Sequence, residues 1–181
     1  MKISAYIAAS LDGYIAREDG ALDWLSAPLD EPGGEDYGFR QFFDSVDLLV
    51  MGRKSFEKVL TLGPWIYGEK PVFVLSSRPV AIPATLQSTV EWRSSSPIEL
   101  KCEFDQMNLR GVYVDGGKTI QSFLADGLLD ELTVTWIPIL IGRGIPLFGR
   151  LEKDARLKLV ENRAFDNGFV QSRYEILPLK S

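Results

Sequence analysis

Three short runs of consecutive apolar residues limit the folds open to this chain more than any other feature. The runs VDLLVM (46–51), PVFVLS (71–76) and GVYVD (111–115) show little alternation between apolar and polar positions. Strands of this composition are buried on both faces, as in parallel sheets covered by helices. Stretches between them show helical spacing, for example Phe39, Phe42 and Phe43. The pattern predicts an α/β fold with a mostly parallel sheet and helices on both faces.

The remaining segments extend this prediction to the whole chain. Further strands are predicted at 2–9, 14–16, 88–92, 130–142, 156–164 and 169–177, and further helices at 52–60, 97–109 and 116–127. Asn167-Gly168 lies between the last two strands and is a strong hairpin signal, so an antiparallel C-terminal hairpin is expected. Residues 27–38 are rich in Pro, Gly and acidic residues and are interpreted as a loop. A length of 181 residues predicts one domain, 1–181.

The composition restricts the chemistry. The chain has no histidine, which excludes Ser-His and Cys-His nucleophile pairs and most zinc sites. Cys102 is the only cysteine, so an internal disulfide and a cysteine metal cluster are excluded, and no metal is expected. A net charge of −5 argues against general nucleic-acid binding. Any proton transfer must therefore use a carboxylate, tyrosine, lysine or water.

The N-terminal segment MKISAYIAASLDGYIARE begins like a signal peptide, but Asp12-Gly13 interrupts its apolar run too early. It is interpreted as a buried first strand. No apolar run approaches membrane-spanning length, so a cytoplasmic protein without membrane contact is expected.

Small or basic polar residues follow each of the three apolar runs. The strand ends have the sequences VM-GRKS, VL-SSR and VD-GGKT. Ligands of open parallel sheets bind beyond the carboxyl ends of the strands, and helix N-termini attract anions. Cations at such N-termini are unfavourable by about 0.3–1 kcal/mol each when unpaired. The repetition favours a bound polyphosphate, with long basic side chains that extend into water as the alternative.

The stretch VYVDGGKT matches neither common nucleotide-binding motif. A P-loop needs a glycine where Val112 stands. A Rossmann G-x-G-x-x-G motif needs glycines where Lys118 and Gln121 stand. The double glycine therefore indicates either another kind of phosphate-approach turn or an ordinary tight turn.

In chain order, MGRKSFE, VFVLSSRP and VYVDGGKTI resemble the dihydrofolate reductase superfamily. AASLDGYIA, GLLDELTVTWIPILIGRGIPLF and the closing hairpin are more similar to the reductase domain of bifunctional riboflavin-biosynthesis enzymes and its stand-alone relatives. The resemblance covers nearly the whole chain. It implies an NADPH-dependent reductase that transfers hydride to a small heterocyclic or carbonyl substrate, such as 5-amino-6-(5-phosphoribosylamino)uracil or a pteridine.

The resemblance also implies a cofactor site at the three junctions. The cofactor phosphates would contact Gly52, Arg53, Lys54 and Ser55, and the adenosine with its 2′-phosphate would contact Leu75, Ser76, Ser77 and Arg78. The pyrophosphate would approach Gly116, Gly117, Lys118, Thr119 and Ile120, and the nicotinamide would lie between Ala9 and Ile15. Glycines would be needed at 116 and 117 because side chains would block the ligand. Relatives are often dimeric, which implies a homodimer with a sheet-edge or face contact through ELTVTWIPILIG (131–142).

The proton donor and the substrate pocket are less well defined. Asp36 stands sixteen residues before Gly52, the spacing of the catalytic carboxylate in dihydrofolate reductases. Its alternative role is to cap the helix expected from Tyr37. Substrate contacts are expected from Asp12, Trp24, Phe39 and Phe43, although Asp12 also suits a turn and the aromatic residues a core. Arg17 and Arg143 are candidates for a substrate phosphate, and Asp115 is interpreted as structural.

Two other functions stay open at this point. A non-catalytic nucleotide-binding module would use the same junctions for regulation. A structural or interaction protein would carry them only as solvated basic residues.

Overall fold

The computed structural model of the chain describes residues 1–25 and 35–178. Its strands are β1 (Lys2–Ser10), β2 (Tyr14–Ala16), β3 (Leu48–Gly52), β4 (Val72–Leu75), β5 (Val90–Arg93), β6 (Gly111–Asp115), β7 (Glu131–Ile137), β8 (Ile145–Pro146), β9 (Leu157–Ala164) and β10 (Val170–Ile176). Its α-helices are α1 (Phe39–Ser45), α2 (Arg53–Val59), α3 (Pro97–Gln106) and α4 (Gly117–Ala125), with a short 3₁₀ helix at Ala84–Leu86.

Eight strands form the central sheet in the order β5-β4-β3-β6-β1-β7-β10-β9. The first six of these are parallel to their neighbours, and β10 is antiparallel to both β7 and β9. Strands β2 and β8 form a separate antiparallel pair. The predicted mostly parallel sheet with a C-terminal hairpin is therefore confirmed.

The continuous apolar runs form the interior strands because both of their faces are covered by helices. In β3 the side chains of 48–51 have no accessible surface. One face packs against α3 and α4 through Leu100, Phe104, Ile120 and Phe123. The other face packs against α2 through Phe56, and against the aromatic side chains of α1. This arrangement places the carboxyl ends of six parallel strands at one edge of the sheet.

Two predicted elements end earlier than expected. The strand predicted for 130–142 stops at Ile137, because Pro138 has no N–H for the ladder and Ile139 N–H donates instead to the Ile137 carbonyl at 2.7 Å. The helix predicted for 97–109 stops at Gln106, near Asn108 with its left-handed φ of 52°. Of the predicted loop 27–38, residues 27–34 lie outside the described residues, and 35–38 precede α1.

The position of β7 corrects one expectation. The segment 131–142 was expected to contribute a sheet-edge or face contact, and the edge alternative is wrong because β7 is bonded to β1 on one side and β10 on the other. A contact through the face of the sheet stays a prediction. The edge strands are β5 and β9. Every residue of β9 is exposed, including Leu157, Leu159 and Val160. The predicted turn at Asn167-Gly168 does connect β9 to β10, with Gly168 at φ 85°.

Candidate active site

The three predicted junctions lie side by side because β4, β3 and β6 are adjacent parallel strands. Gly52 is in register with Leu75, and Met51 is in register with Asp115. Residues 75–78, 52–55 and 115–118 therefore follow one another along the carboxyl edge of the sheet. Beyond them lie the ends of β1 and β7, where Ser10 is in register with Ile137.

The glycines of two junctions allow these segments to touch. A Cβ added to Gly116 would stand 2.1 Å from Ser55 Oγ, and one on Gly52 would stand 3.0 Å from Thr119 Oγ1. A Cβ on Gly117 would stand 2.8 Å from Ile15 Cδ1 and 3.3 Å from the Pro146 carbonyl oxygen. The chain's own atoms, rather than a ligand alone, thus require glycine at 116 and 117. This differs from the reason predicted for them.

Most of the basic side chains at this edge point into solvent. Arg53 forms an ion pair with Glu57 at 2.8 Å, so it is not the unpaired cation that the sequence suggested. Lys54, Arg78 and Lys118 are exposed, and they make no ion pair within the described part of the chain. Next to Arg78, the Ser76 hydroxyl accepts the Arg78 N–H at 3.1 Å, and the Trp92 indole donates to the Ser76 carbonyl at 2.9 Å. The edge therefore retains three cations that could meet an anionic ligand.

The other residues predicted to contact the cofactor differ in accessibility. Ile15 lies against Gly117 and is half-buried. Ala9 and Ile120 have no accessible surface and pack in the core cluster beneath the edge. Thr119 is also buried.

Asp36 forms hydrogen bonds at the start of α1. Its Oδ1 accepts the Gly38 N–H at 2.9 Å, and its Oδ2 accepts the Arg40 N–H at 3.1 Å. The N-cap of α1 is Gly38, so the helix starts two residues later than predicted and Asp36 is not its N-cap residue. The Asp36 carboxylate nevertheless binds backbone N–H groups at the start of α1, and its catalytic role stays a prediction.

Asp12 joins the β1–β2 turn to the segment after β7. Its Oδ1 accepts the Ser10 hydroxyl at 2.6 Å, and its Oδ2 accepts the Gly142 N–H at 2.7 Å. The Ser10 hydroxyl and these N–H groups hold the pKa of the Asp12 carboxyl below its usual range. These contacts are those of the turn considered for Asp12, and its contact with substrate stays a prediction.

The two arginines proposed for a substrate phosphate line one open pocket of about 650 Å³. Glu18 and Asp19 line the same pocket. Arg17 is engaged by both oxygens of Asp23, at 2.7 and 2.8 Å. Because the acidic residues offset much of the positive charge, the pocket provides a weaker anion site than the sequence suggested.

The predicted substrate aromatics occupy two different clusters. Phe39 and Phe43 are half-buried on the α1 side of the sheet, where Phe39 packs edge-on to Tyr6 with centroids 5.7 Å apart. Trp24 is buried beside Tyr37, Ile137 and Phe169. The Trp24 Nε1 atom is buried and has no hydrogen-bond partner in the described residues.

Sequence interpretation missed the carboxyl group at the centre of this edge. Asp115 ends β6, between the ends of β3 and β1, and its side chain is half-buried. Tyr113 Oη lies 3.2 Å from Asp115 Oδ1 and 2.9 Å from the Tyr6 carbonyl oxygen. No basic side chain pairs with Asp115 in the part of the chain described here. The sequence feature that could have indicated it is a charged residue at the end of the apolar run GVYVD (111–115).

The Tyr113 hydroxyl is placed between two acceptors. A phenol carries one hydrogen, so it donates either to the Tyr6 carbonyl oxygen or to Asp115 Oδ1 at any moment. Burial raises the pKa of Asp115 above its ordinary value, against the lowering effect of hydrogen bonds from Gly116 N–H and Tyr113. Desolvation therefore makes Asp115 easier to protonate than an exposed aspartate.

Within the described residues, no helix combines the length and apolarity needed to cross a membrane.

Two reductase structures share the fold at low sequence identity. A Thermotoga maritima diaminohydroxyphosphoribosylaminopyrimidine deaminase/5-amino-6-(5-phosphoribosylamino)uracil reductase superposes with a TM-score of 0.71 and 16% identity, over 97% of this chain and 56% of that one. Enterococcus faecalis dihydrofolate reductase, complexed with NADP(H) and RAB-propyl, superposes with a TM-score of 0.67 and 19% identity, over 98% and 97% of the two chains. At these identities the likeness establishes the fold alone.

Similarity at the level of sequence identifies the family. A putative riboflavin biosynthesis protein from Shewanella sp. PV-4 has 37% identity and a TM-score of 0.90, over 98% of this chain and all of that one. The uncharacterized protein YwjB of Bacillus subtilis is 33% identical over 176 residues, 96% of this chain and 97% of YwjB. The family model of the RibD C-terminal domain matches residues 1–171. The chain therefore belongs to the RibD C-terminal domain family, a family with a reductase-like fold.

Proposed function

We propose that the protein is an NADPH-dependent reductase that transfers hydride to a small heterocyclic or carbonyl substrate. The observation that carries the proposal is the composition of the carboxyl edge. Among residues 1–25 and 35–178, cations without an ion pair at adjacent strand ends flank a half-buried carboxyl group that has no cationic partner there. A polyanionic cofactor would compensate the cations, and the carboxylic acid would serve proton transfer. Without a ligand, neither the exposed cations nor the half-buried carboxyl group stabilises the protein.

The residues present fit a phosphorylated dinucleotide. The first N–H groups of α4 have no acceptor within the helix and can bind an anion. Just before them, Gly116 lies against Ser55 of the neighbouring junction, in a space too narrow for a side chain. Lys54 and Lys118 would meet the diphosphate. Ser77 and Arg78, both exposed, would hold a 2′-phosphate, for which a guanidinium is well suited.

When bound, the reduced nicotinamide would supply the hydride. The chain would contribute orientation of the two reactants and the accompanying proton. The Asp115 carboxylic acid would donate its proton to the nitrogen or oxygen adjacent to the carbon that accepts the hydride. The resulting carboxylate would regain a proton from water. This assignment replaces Asp36 as the proton donor, because both Asp36 oxygens are occupied by backbone N–H groups.

The function is tested by cofactor binding and turnover. Purified protein is titrated with NADPH and with NADH, and its melting temperature is followed; NADPH is expected to raise it and NADH to raise it less. NADPH oxidation is then measured with 5-amino-6-(5-phosphoribosylamino)uracil and with dihydrofolate. Binding without turnover would support the regulatory module instead. No change in melting temperature at millimolar NADPH would exclude both nucleotide-dependent functions.

The protein is further proposed to be a homodimer that associates through β9. This edge strand exposes Leu157 and Leu159, and the adjoining face of the sheet contains an apolar cavity of about 360 Å³ lined in part by Trp136, Phe148 and Tyr174. An unpaired apolar edge of this kind is normally covered in native proteins. Sedimentation equilibrium of the wild-type chain and of Leu159→Lys tests it: a dimer that dissociates in the variant is expected. A cytoplasmic location stays a prediction.

A further inference from the structure

The residue immediately after Asp36 has an unusual backbone conformation. Tyr37 has φ 54°, and Gly38 after it has φ 85°. Tyrosine is disfavoured in this left-handed region, so the surrounding contacts must hold it there. Because Tyr37 lies next to the first turn of α1, whatever holds it also determines where that helix starts.

The contacts that hold Tyr37 come mainly from the C-terminal hairpin, β9 with β10. The Tyr37 ring lies 4.8 Å from the Phe165 ring and 5.4 Å from the Phe169 ring, as measured between centroids. Its hydroxyl accepts a hydrogen bond from Asn167 Nδ2 at 2.8 Å. The ring and the hydroxyl of Tyr37 are thus fixed by the turn that joins β9 to β10.

Gln171 of β10 fixes the backbone of the same residue. Its Nε2 lies 3.0 Å from the Tyr37 carbonyl oxygen, 2.8 Å from Tyr6 Oη and 2.9 Å from Thr135 Oγ1. Tyr6 Oη also donates to the Tyr37 carbonyl. Burial raises the pKa of Tyr6 to about 12, so this hydroxyl keeps its proton at neutral pH. One amide thereby joins β10, β7, β1 and the start of α1.

The same network continues to Asp115. Tyr6 stacks on Phe42 of α1 at 4.7 Å, and its carbonyl accepts the Tyr113 hydroxyl that contacts Asp115. The first turn of α1 and the Asp115 carboxyl are thus held to the same strand, β1. Within the part of the chain that the structure describes, the Gln171 side chain forms no hydrogen bond with the cofactor junctions at 52–55, 75–78 and 115–118.

We propose that Gln171 is a positioning residue, which holds Tyr37 and the first turn of α1, the helix that carries the predicted substrate contacts Phe39 and Phe43. This inference rests on the proposed function for the existence of that substrate. It assigns to the C-terminal hairpin a role in substrate affinity that is separate from cofactor binding. Gln171 of this hairpin is 134 positions from Tyr37 in the chain.

The test compares Gln171→Leu with Ser172→Ala as the matched control. Ser172 is the next residue of β10, is buried, and loses one hydrogen bond, to Asn162, in the control variant. Hydrogen–deuterium exchange is measured on the ligand-free proteins. In Gln171→Leu the amides of Gly38 and Arg40 are expected to exchange about tenfold faster, as for loss of one hydrogen bond. The control should match the wild type.

Kinetics with 5-amino-6-(5-phosphoribosylamino)uracil and NADPH provide the second measurement. The KM for the uracil compound is expected to rise about tenfold in Gln171→Leu, with kcat and the NADPH dissociation constant nearly unchanged. Tyr37→Phe, which loses only the Asn167 contact, serves as a milder variant if Gln171→Leu does not fold. It should change exchange and KM in the same direction by less.

Unaltered exchange in α1, or a parallel loss of NADPH affinity, would overturn the positioning role. If the wild-type chain neither binds nor oxidises NADPH, the proposed function fails, whereas the exchange measurement still decides whether Gln171 positions α1.

Discussion

Charged side chains have partners at the amino edge of the parallel sheet, whereas several at the carboxyl edge do not. At the amino edge, Asp47 accepts from Arg110 through side chain and backbone at 2.6–2.9 Å, and Lys2 pairs with Glu131 at 3.2 Å. Asp130 accepts the Ile3 N–H at 2.7 Å, and Lys70 donates to the Val46 carbonyl. At the carboxyl edge, Lys54, Lys118 and Arg78 have no ion-pair partners within the described residues, and Asp115 has no cation.

This difference separates the charges that stabilise the fold from those available to a ligand. Paired groups at the amino edge are satisfied in the isolated chain. The carboxyl edge keeps three exposed cations without an ion pair in the described residues and a carboxyl group partly out of water, an arrangement that costs stability and is typical of functional sites. Matched substitutions at the two edges should therefore have different consequences.

The largest effect is expected for Asp115→Asn. Loss of a general acid typically lowers turnover by about 10²–10⁴-fold, and steady-state oxidation of NADPH measures it. Because the acid form of Asp115 is required, wild-type turnover should fall as pH rises through the pKa of Asp115 in the folded protein. The variant should lack this dependence. Asp47→Asn, at the opposite edge, should retain turnover; wild-type activity in Asp115→Asn would show that the edges do not differ in this way.

The next largest effect is expected for the double variant Ser77→Ala with Arg78→Ala. Hydrogen bonds to charged groups contribute about 1.5–3 kcal/mol, so the dissociation constant for NADPH should rise by roughly 10–100-fold. The constant for NADH, which lacks the 2′-phosphate, should change little. Isothermal titration with both nucleotides measures the two values. Arg110→Ala provides the amino-edge control, and equal losses for NADPH and NADH would place the 2′-phosphate elsewhere.

The smallest effect concerns stability and its dependence on pH. The folded-state pKa of Asp115 is raised, so its contribution is fully present below the unfolded pKa and is lost as pH rises through the folded pKa. Asp115→Asn should avoid this loss and gain roughly 0.5–2 kcal/mol near neutral pH. Hydrogen bonds from Arg110 lower the pKa of Asp47, so its contribution is present above the unfolded pKa and is lost as pH falls through the folded pKa.

Urea denaturation at several pH values distinguishes these two cases. The free energy of unfolding of Asp115→Asn should increase relative to the wild type as pH rises. For Asp47→Asn it should be lower than that of the wild type, with the smallest difference at acid pH. Changes of the same sign in both variants at neutral pH would contradict the proposed difference between the edges.

Most of the fold could be predicted from the sequence, because burial on both faces leaves a direct mark on composition. The runs at β3, β4 and β6 are continuously apolar because helices cover both sides. The end of β7 was missed because Ile139, Leu140 and Ile141 continue the apolar pattern after Pro138, although Leu140 is 70% exposed. Apolar composition alone does not separate a buried strand from an exposed segment next to one.

The candidate site was predicted only where its residues follow strands directly. Junction residues such as Arg78 and Lys118 are adjacent in sequence to the strands that place them. Asp115 was interpreted as structural because no local pattern indicates that the Tyr113 hydroxyl lies between Asp115 and the Tyr6 carbonyl, which is 107 positions from Tyr113 in the chain. For Asp36, helix capping and catalysis require the same residue at the same place, so the sequence could not distinguish them.

The central position of β1 has a consequence for how the chain folds during synthesis. Its sheet partners are Gly111 onward in β6 and Glu131 onward in β7, so the first strand made must wait for most of the polypeptide before it can pair. Contacts of such long sequence separation slow folding and leave apolar segments exposed in the meantime. Ribosome-bound fragments that stop before about residue 137 should therefore remain dependent on chaperones, however well their helices form.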